Sequence, residues 1–199
     1  MSSTLLRESR SPSYWDSAYW HGVSSMPLGP EERQLLRSST GVREGQFVVD
    51  VGCGRGTLAA IMAFWGARVL GLDFSEVAIE AARSTFEVED LHFDVYDVNA
   101  DSGHRLIQPG SVDLITCRHV LPYLDRERFI VDVRRWLKPT TGTLHITTAV
   151  RERTPPDQAD CGLTLAEIGS LGDGWAHAER YPVVNGRAVE GIVLRGPQR

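Results

Sequence analysis

A β-branched run that ends in three closely spaced glycines constrains this chain more than any other feature. Residues 48–57 read V-V-D-V-G-C-G-R-G-T, with Gly52, Gly54 and Gly56 at alternate positions after Asp50. Phe47 to Val51 has the composition of a strand, and Leu58 to Trp65, rich in Ala, Leu, Ile and Met, that of a helix lying on a sheet. Glycines at such a junction let the backbone turn tightly and let a ligand approach with no Cβ in the way. In an open α/β sheet ligands bind at this place, outside the carboxyl ends of the strands. A merely tight turn is the bland alternative, but three glycines in five residues exceed what turning requires.

The same alternation continues downstream. Arg68 to Leu72 is a second strand, and Ser75 is placed to cap a helix over Glu76 to Thr85. Leu91 to Val95 and Ser111 to Cys117 are the third and fourth strands, separated by a loop over Asn99 to Gly110. A helix from near Asp125 carries Phe129, Ile130, Val133, Trp136 and Leu137 at helical spacing until Pro139 and Gly142 stop it, and Thr143 to Val150 is the fifth strand. A surface loop from Arg151 to Ala159 leads to a short helix, Thr164 to Leu171. Trp175 to Val184 and Arg187 to Arg195 flank Asn185-Gly186, a strong hairpin signal. This pattern predicts a parallel sheet covered by helices and closed by an antiparallel hairpin. Residues 1–46, with a helix over Pro30 to Arg37, form an N-terminal segment before one compact domain, 47–199.

Composition removes several function classes. The 199 residues are 42% hydrophobic and 24% charged, as expected of one soluble globular domain. A formal net charge of −5, scattered arginines and almost no lysine argue against a nucleic-acid partner. No apolar run approaches the roughly 20 residues of a membrane span, and the start lacks the apolar core of a signal peptide, so a cytoplasmic protein is expected. Cys53, Cys117 and Cys161 form no C-x-x-C pair, and His92, His104, His145 and His177 fall at no metal-ligand spacing. Neither a disulfide framework nor a metal is expected.

Spacing discriminates among loop ligands. A dinucleotide fingerprint would place its third glycine at position 57, where Thr57 stands, and no G-K-[ST] of a P-loop follows. Asp50 would repel a pyrophosphate and stabilise an ammonium or other cation. Asp73, which ends the second strand 19 residues after Gly54, is placed to accept hydrogen bonds from both hydroxyls of a ribose. The loop therefore suits a positively charged ligand that carries a nucleoside.

Taken together, D-V-G-C-G-R-G, G-L-D-F-S, D-V-Y-D-V and S-V-D-L-I-T-C-R-H-V-L-P-Y-L resemble the class I S-adenosylmethionine-dependent methyltransferases, from about Gln46 to the C-terminus. The resemblance implies a Rossmann-like, doubly wound, seven-stranded sheet, mostly parallel with a C-terminal antiparallel hairpin and helices on both faces. It also implies S-adenosylmethionine as cofactor and S-adenosylhomocysteine as product. On the matching motifs, Gly52, Cys53, Gly54 and Gly56 form the cofactor loop, Asp50 acts near the ammonium and Asp73 binds the ribose. Phe74 packs on the adenine or is simply core. Asp97, with Val98 beside it, meets the adenine amino group, with Asp94 as the alternative acid. Cys117 and Arg118 line the methionine end, where Arg118 would alternatively bind a substrate carboxylate or pair on the surface. A weaker similarity to tellurite-resistance and thiopurine methyltransferases implies that Trp15 and Tyr19 touch the cofactor.

Methyl transfer from a sulfonium is an in-line displacement, so the protein contributes mainly by alignment in a dry pocket. A base is needed only for a protonated acceptor. The candidates are His119, Tyr123 and His21; for His119 ordinary hydrogen bonding to backbone is the alternative. Tyr14, Trp15, Tyr19, Trp20 and His21 form an aromatic cluster that either closes over the site or anchors a helix. The favoured function is methylation of a small molecule, because no target-recognition domain or basic face is present. An RNA or protein methyltransferase and a non-catalytic cofactor-binding domain are the alternatives, and a nicotinamide-dependent dehydrogenase is disfavoured by Asp50 and Thr57. Acceptor atom and oligomeric state are not encoded in any recognisable motif.

Overall fold

The computed structural model describes residues 11–22, 27–100, 103–156, 161–183 and 188–198. Two N-terminal helices, α1 (Pro12–Trp20) and α2 (Pro30–Thr40), precede the alternating core. The core runs β1 (Phe47–Val51), α3 (Thr57–Phe64), β2 (Arg68–Asp73), α4 (Glu76–Thr85), β3 (Leu91–Val95) and β4 (Leu114–Arg118). It continues through α5 (Arg126–Trp136), β5 (Thr143–Val150), β6 (Gly162–Leu163), α6 (Leu165–Ser170), β7 (Trp175–Pro182) and β8 (Val189–Pro197). The strand order is β3-β2-β1-β4-β5-β8-β7, with β6 paired to β5 off this path. Strands β1 to β5 are parallel, and β8 runs antiparallel to both β5 and β7. The order therefore reverses between β1 and β4, the place at the strand ends where open α/β sheets take their ligands.

The sheet has eight strands where seven are expected. The additional one is β6, whose two residues pair with Ala149 and Val150; so short a segment leaves no alternation to read in the sequence. The fourth strand starts at Leu114 rather than Ser111, since Val112 instead bridges to Leu137 at the end of α5. The hairpin is present as β7 and β8, while its Asn185-Gly186 turn lies outside the described residues. Among the described residues no helix is long and apolar enough to cross a membrane.

Both faces of the sheet are covered, which explains the nearly continuous apolar strands. On one face Val49, Val51, Ile115, Cys117, Leu144 and Ile146 pack with Phe129, Val133 and Trp136 of α5. On the other, Val48 and Leu114 pack with Leu36 of α2, Leu58 and Met62 of α3, and Ile79 of α4. Ser75 caps α4 as expected, its hydroxyl accepting from the Ala78 amide at 3.1 Å. Asp125 caps α5, accepting from the Arg128 amide at 3.3 Å. These caps fix where each helix starts, and hence the lengths of the loops at the carboxyl end of the sheet.

A polar row interrupts the second face. Asp50 is in register with Thr116, and Thr116 with His145, so the three side chains share one side of β1, β4 and β5. All three are buried. The row continues through His145 Nε2, 2.6 Å from the Tyr181 hydroxyl, to which the Ser39 hydroxyl of α2 donates at 3.1 Å.

Candidate functional site

The loop after β1 is shaped by left-handed backbone at Gly52, Gly54 and Gly56, with φ of 68°, 53° and 79°. A Cβ on Gly52 would lie 2.3 Å from a methyl of Val120, and one on Gly54 would lie 2.8 Å from the Tyr19 hydroxyl. At these two positions only glycine combines the φ with the space. Cys53 between them is buried, and burial pushes its thiol well above its usual range, which removes it as a nucleophile.

Asp73 joins this loop to the next one. Its Oδ2 accepts from the Gly54 amide at 2.8 Å and its Oδ1 from the Ser75 amide at 3.0 Å. Each oxygen keeps a second lone pair for a ligand donor, on a carboxylate whose orientation is fixed. Burial raises its pKa, against the opposing effect of these backbone donors.

Asp50 lies beneath the loop. Its Oδ1 accepts from the Thr116 hydroxyl at 2.6 Å, while Oδ2 is buried with no hydrogen-bond partner. Burial pushes its pKa up to about 7, partly opposed by the Thr116 bond and by the Arg118 charge. An acceptor left buried and unsatisfied costs free energy that a cationic donor would recover.

Helix α1 lies across the mouth of the loop. Asp16 Oδ1 accepts from the Ser75 hydroxyl at 2.6 Å and from the Val77 amide at 3.4 Å, at the start of α4. At the other side of the loop, Arg55 Nη2 donates to the Tyr19 carbonyl at 2.6 Å. Tyr19 is buried, and burial raises its phenol above the usual value. The Trp15 ring lies 5.8 Å from that of Tyr19 and edge-on to Tyr123 at 5.7 Å. The aromatic cluster thus both forms a helix and covers the loop, whereas Trp20 is exposed. His21 ends the helix at the surface, its Nδ1 2.7 Å from the Ser17 carbonyl of the same helix.

The segment after β4 supplies the remaining wall. Arg118 pairs with Glu32 of α2 through two contacts, at 2.7 and 3.0 Å, with both side chains largely buried. His119 is the one non-glycine residue with positive φ among the described residues, at 58°, and its amide donates to the Thr147 carbonyl at 2.7 Å. Burial, with the neighbouring Arg118 charge, lowers its imidazole pKa to about 4, so the ring is neutral. Val120 packs over Gly52. The Tyr123 hydroxyl faces Cys161, and burial raises its pKa.

Of the two acids near the third strand, Asp94 is engaged elsewhere: Arg83 at 3.0 Å, His104 at 3.2 Å and Arg105 at 2.9 Å surround it. Asp97 accepts only locally, from the Asn99 amide at 2.8 Å, and the Tyr96 amide beside it donates to the Asp73 carbonyl at 2.8 Å. That contact brings Asp97 and the buried Val98 to the Asp73 side of the site. Phe74 follows Asp73 and is half-buried. Cys117, expected at the ligand end, instead packs in the α5-side core, because it is in register with Val51 and Ile146. Asp16, Glu32 and Arg55 escaped the sequence reading. Arg55 stood inside the glycine motif and was the one with a visible signal. Among the described residues no three His, Cys, Asp or Glu side chains gather where they could hold a metal ion.

A family model described as a methyltransferase domain matches residues 48–140. The ubiquinone biosynthesis O-methyltransferase of Thiobacillus denitrificans is 35% identical over 96 residues, 48% of this chain and 41% of that protein. The chain thus spans under half the length of that relative. Among solved structures, an S-adenosylmethionine-dependent methyltransferase from Mesorhizobium loti superposes with a TM-score of 0.69 at 20% identity, covering 84% of this chain and 98% of that one. The N-methyltransferase NodS from Bradyrhizobium japonicum, solved with S-adenosylhomocysteine, gives a TM-score of 0.66 at 23% identity, covering 85% and 89%.

Proposed function

We propose that this chain, which belongs by its matched domain and fold to the class I S-adenosylmethionine-dependent methyltransferases, transfers the cofactor's methyl group to a small-molecule acceptor. The observation that carries the reading is Asp73, held by the Gly54 and Ser75 amides at the end of β2 with lone pairs left for a ribose. The buried Oδ2 of Asp50, which lacks a partner, fits the cationic amino-acid end of the same molecule. Asp97 and Val98 are assigned to the adenine, with Phe74 against it.

When bound, S-adenosylmethionine would supply a methyl group on a sulfonium, electrophilic enough for in-line displacement by an acceptor, with S-adenosylhomocysteine as the leaving group and, from a protonated acceptor, one proton to be taken up. The protein's part is alignment and exclusion of water. Residues 1–46 act as a lid on the domain 47–199, with α1 tied down by Asp16 on Ser75 and by Arg55 on Tyr19. Trp15 and Tyr123 wall the acceptor side. His119, uncharged above about pH 4, is the group assigned to take the acceptor proton. Arg118 is assigned to positioning α2 through Glu32 rather than to binding a substrate. His21, bonded to its own helix, is given no chemical role. No metal takes part, and a cytoplasmic location completes the reading.

Replacing Asp73 by Ala tests it. Loss of S-adenosylmethionine affinity in a folded variant supports the ribose assignment, and unchanged affinity would sink it.

A further inference from the structure

Ser75, wholly buried at the start of α4, is the meeting point of three hydrogen bonds. Its amide donates to Asp73 Oδ1 at 3.0 Å, its hydroxyl donates to Asp16 Oδ1 of α1 at 2.6 Å, and the same hydroxyl accepts from the Ala78 amide at 3.1 Å. A hydroxyl has one proton to give, and Asp16 holds it. The Val77 amide, 3.4 Å from the same Asp16 oxygen, ties α1 to the first turn of α4 a second time. Asp16 and Asp73 thus flank one buried serine, although Asp16 lies 59 residues ahead of that serine in the sequence. Burial raises the pKa of Asp73, the Ser75 and Gly54 amides oppose the rise, and the Asp16 charge adds to it. Two carboxylates so placed repel each other, and hydroxyl donors brought to Asp73 would offset that repulsion.

We propose that Asp16 is a positioning residue for the ribose: acting through Ser75, it fixes the Asp73 carboxylate when α1 is docked, so that docking of α1 and binding of the ribose hydroxyls strengthen each other. The assignment rests on the cofactor reading and extends it to a residue outside the matched domain, 48–140. Linkage makes the effect reciprocal: whatever docked α1 adds to the affinity for the ribose, the ribose adds to the docking of α1.

The test is calorimetric binding of S-adenosylhomocysteine and of its 2′-deoxy analogue, which lacks one ribose hydroxyl, to the whole chain and to Asp16→Ala. The substitution is expected to weaken S-adenosylhomocysteine about 10-fold or more and the analogue about 3-fold or less. Asp16→Asn keeps an acceptor oxygen for Ser75 and should bring S-adenosylhomocysteine back to within about 3-fold of the parent. Equal losses for the two ligands would make α1 a cover with no bearing on Asp73 and overturn the proposal, as would no loss for either or no recovery in Asp16→Asn. The reciprocal effect is read on the unaltered chain, where no variant has to fold. At equal saturation S-adenosylhomocysteine should slow amide hydrogen exchange over α1 more than the analogue does, and equal protection by both overturns the proposal. Failure of the unaltered chain to bind S-adenosylhomocysteine would overturn the cofactor reading itself, an outcome separate from the others.

Discussion

The Thr116 hydroxyl meets the Asp50 carboxylate at 2.6 Å across adjacent strands, and this bond satisfies one carboxylate oxygen while the other stays buried without a partner. Burial raises the pKa of Asp50 from the ordinary carboxylate value to about 7. The folded protein therefore binds more protons than the unfolded chain between about pH 4 and pH 7. The stability contributed by neutral Asp50 is complete below the unfolded pKa and is lost as pH rises through about 7. Asp50→Asn removes this titration. The stability of the variant relative to the parent should climb between pH 4 and pH 7, by on the order of 4 kcal/mol, and level off above. Denaturant titrations across that range read it, and a difference independent of pH would contradict it.

Ligand affinity should move the opposite way. A cationic amino-acid end favours ionised Asp50, so binding near pH 6 releases a proton and strengthens as pH rises towards 7. Above about pH 8 the ligand's own ammonium begins to deprotonate and the gain ends. Calorimetry in buffers of different ionisation enthalpy reads the proton directly.

Gly52 and Gly54 should not be equivalent. In Gly54→Ala the new methyl meets the Tyr19 hydroxyl alone inside 3 Å, so the cost is mainly the positive φ, about 1–2 kcal/mol. In Gly52→Ala it meets the β-branched Val120 at 2.3 Å as well, and the loss should reach about 3 kcal/mol or more. Tyr19→Phe should restore part of the stability of Gly54→Ala and none of that of Gly52→Ala.

Glu32 holds the N-terminal segment on the end of β4. With both side chains of the Arg118 pair largely buried, Glu32→Gln should cost about 3 kcal/mol. Although α2 still packs Leu36 into the core, proteolysis of this variant should first cut the segment ahead of residue 47 rather than the sheet, because the broken pair lies there. Cleavage beginning within β4 or β5 would contradict that hierarchy.

His119 holds a backbone conformation that favours glycine. His119→Gly should relieve about 1 kcal/mol of strain, so the variant should fold. If the imidazole accepts the acceptor's proton, methyl transfer should fall about 100-fold or more at neutral pH. Because the imidazole pKa is lowered to about 4, the parent's rate should show no loss from His119 protonation until the pH approaches that value.

The glycine loop, Asp73, the Ser75 cap and the limits of β3 and β5 were legible because each is written in one contiguous stretch with its own periodicity or cap. What escaped lies between segments distant in sequence. Arg118 and Glu32 are 86 residues apart, and Tyr181 and Ser39 are 142 apart, so no local pattern links them. Register decided that Thr116 and His145 join Asp50 on one face and that Cys117 turns to the other. That two arginines and a histidine gather around Asp94, while Asp97 accepts only from its own turn, was likewise not written in any local pattern. Arg55 was visible, but only its bond to the Tyr19 carbonyl gives it meaning.

The loop between β1 and α3 is expected to hold S-adenosylmethionine. A calorimetric titration of the intact chain with S-adenosylmethionine, run beside one with a nicotinamide dinucleotide, tests it most directly. Saturable binding of the first at one site per chain, with none of the second, is the predicted result. Binding of the dinucleotide in its place would contradict the account.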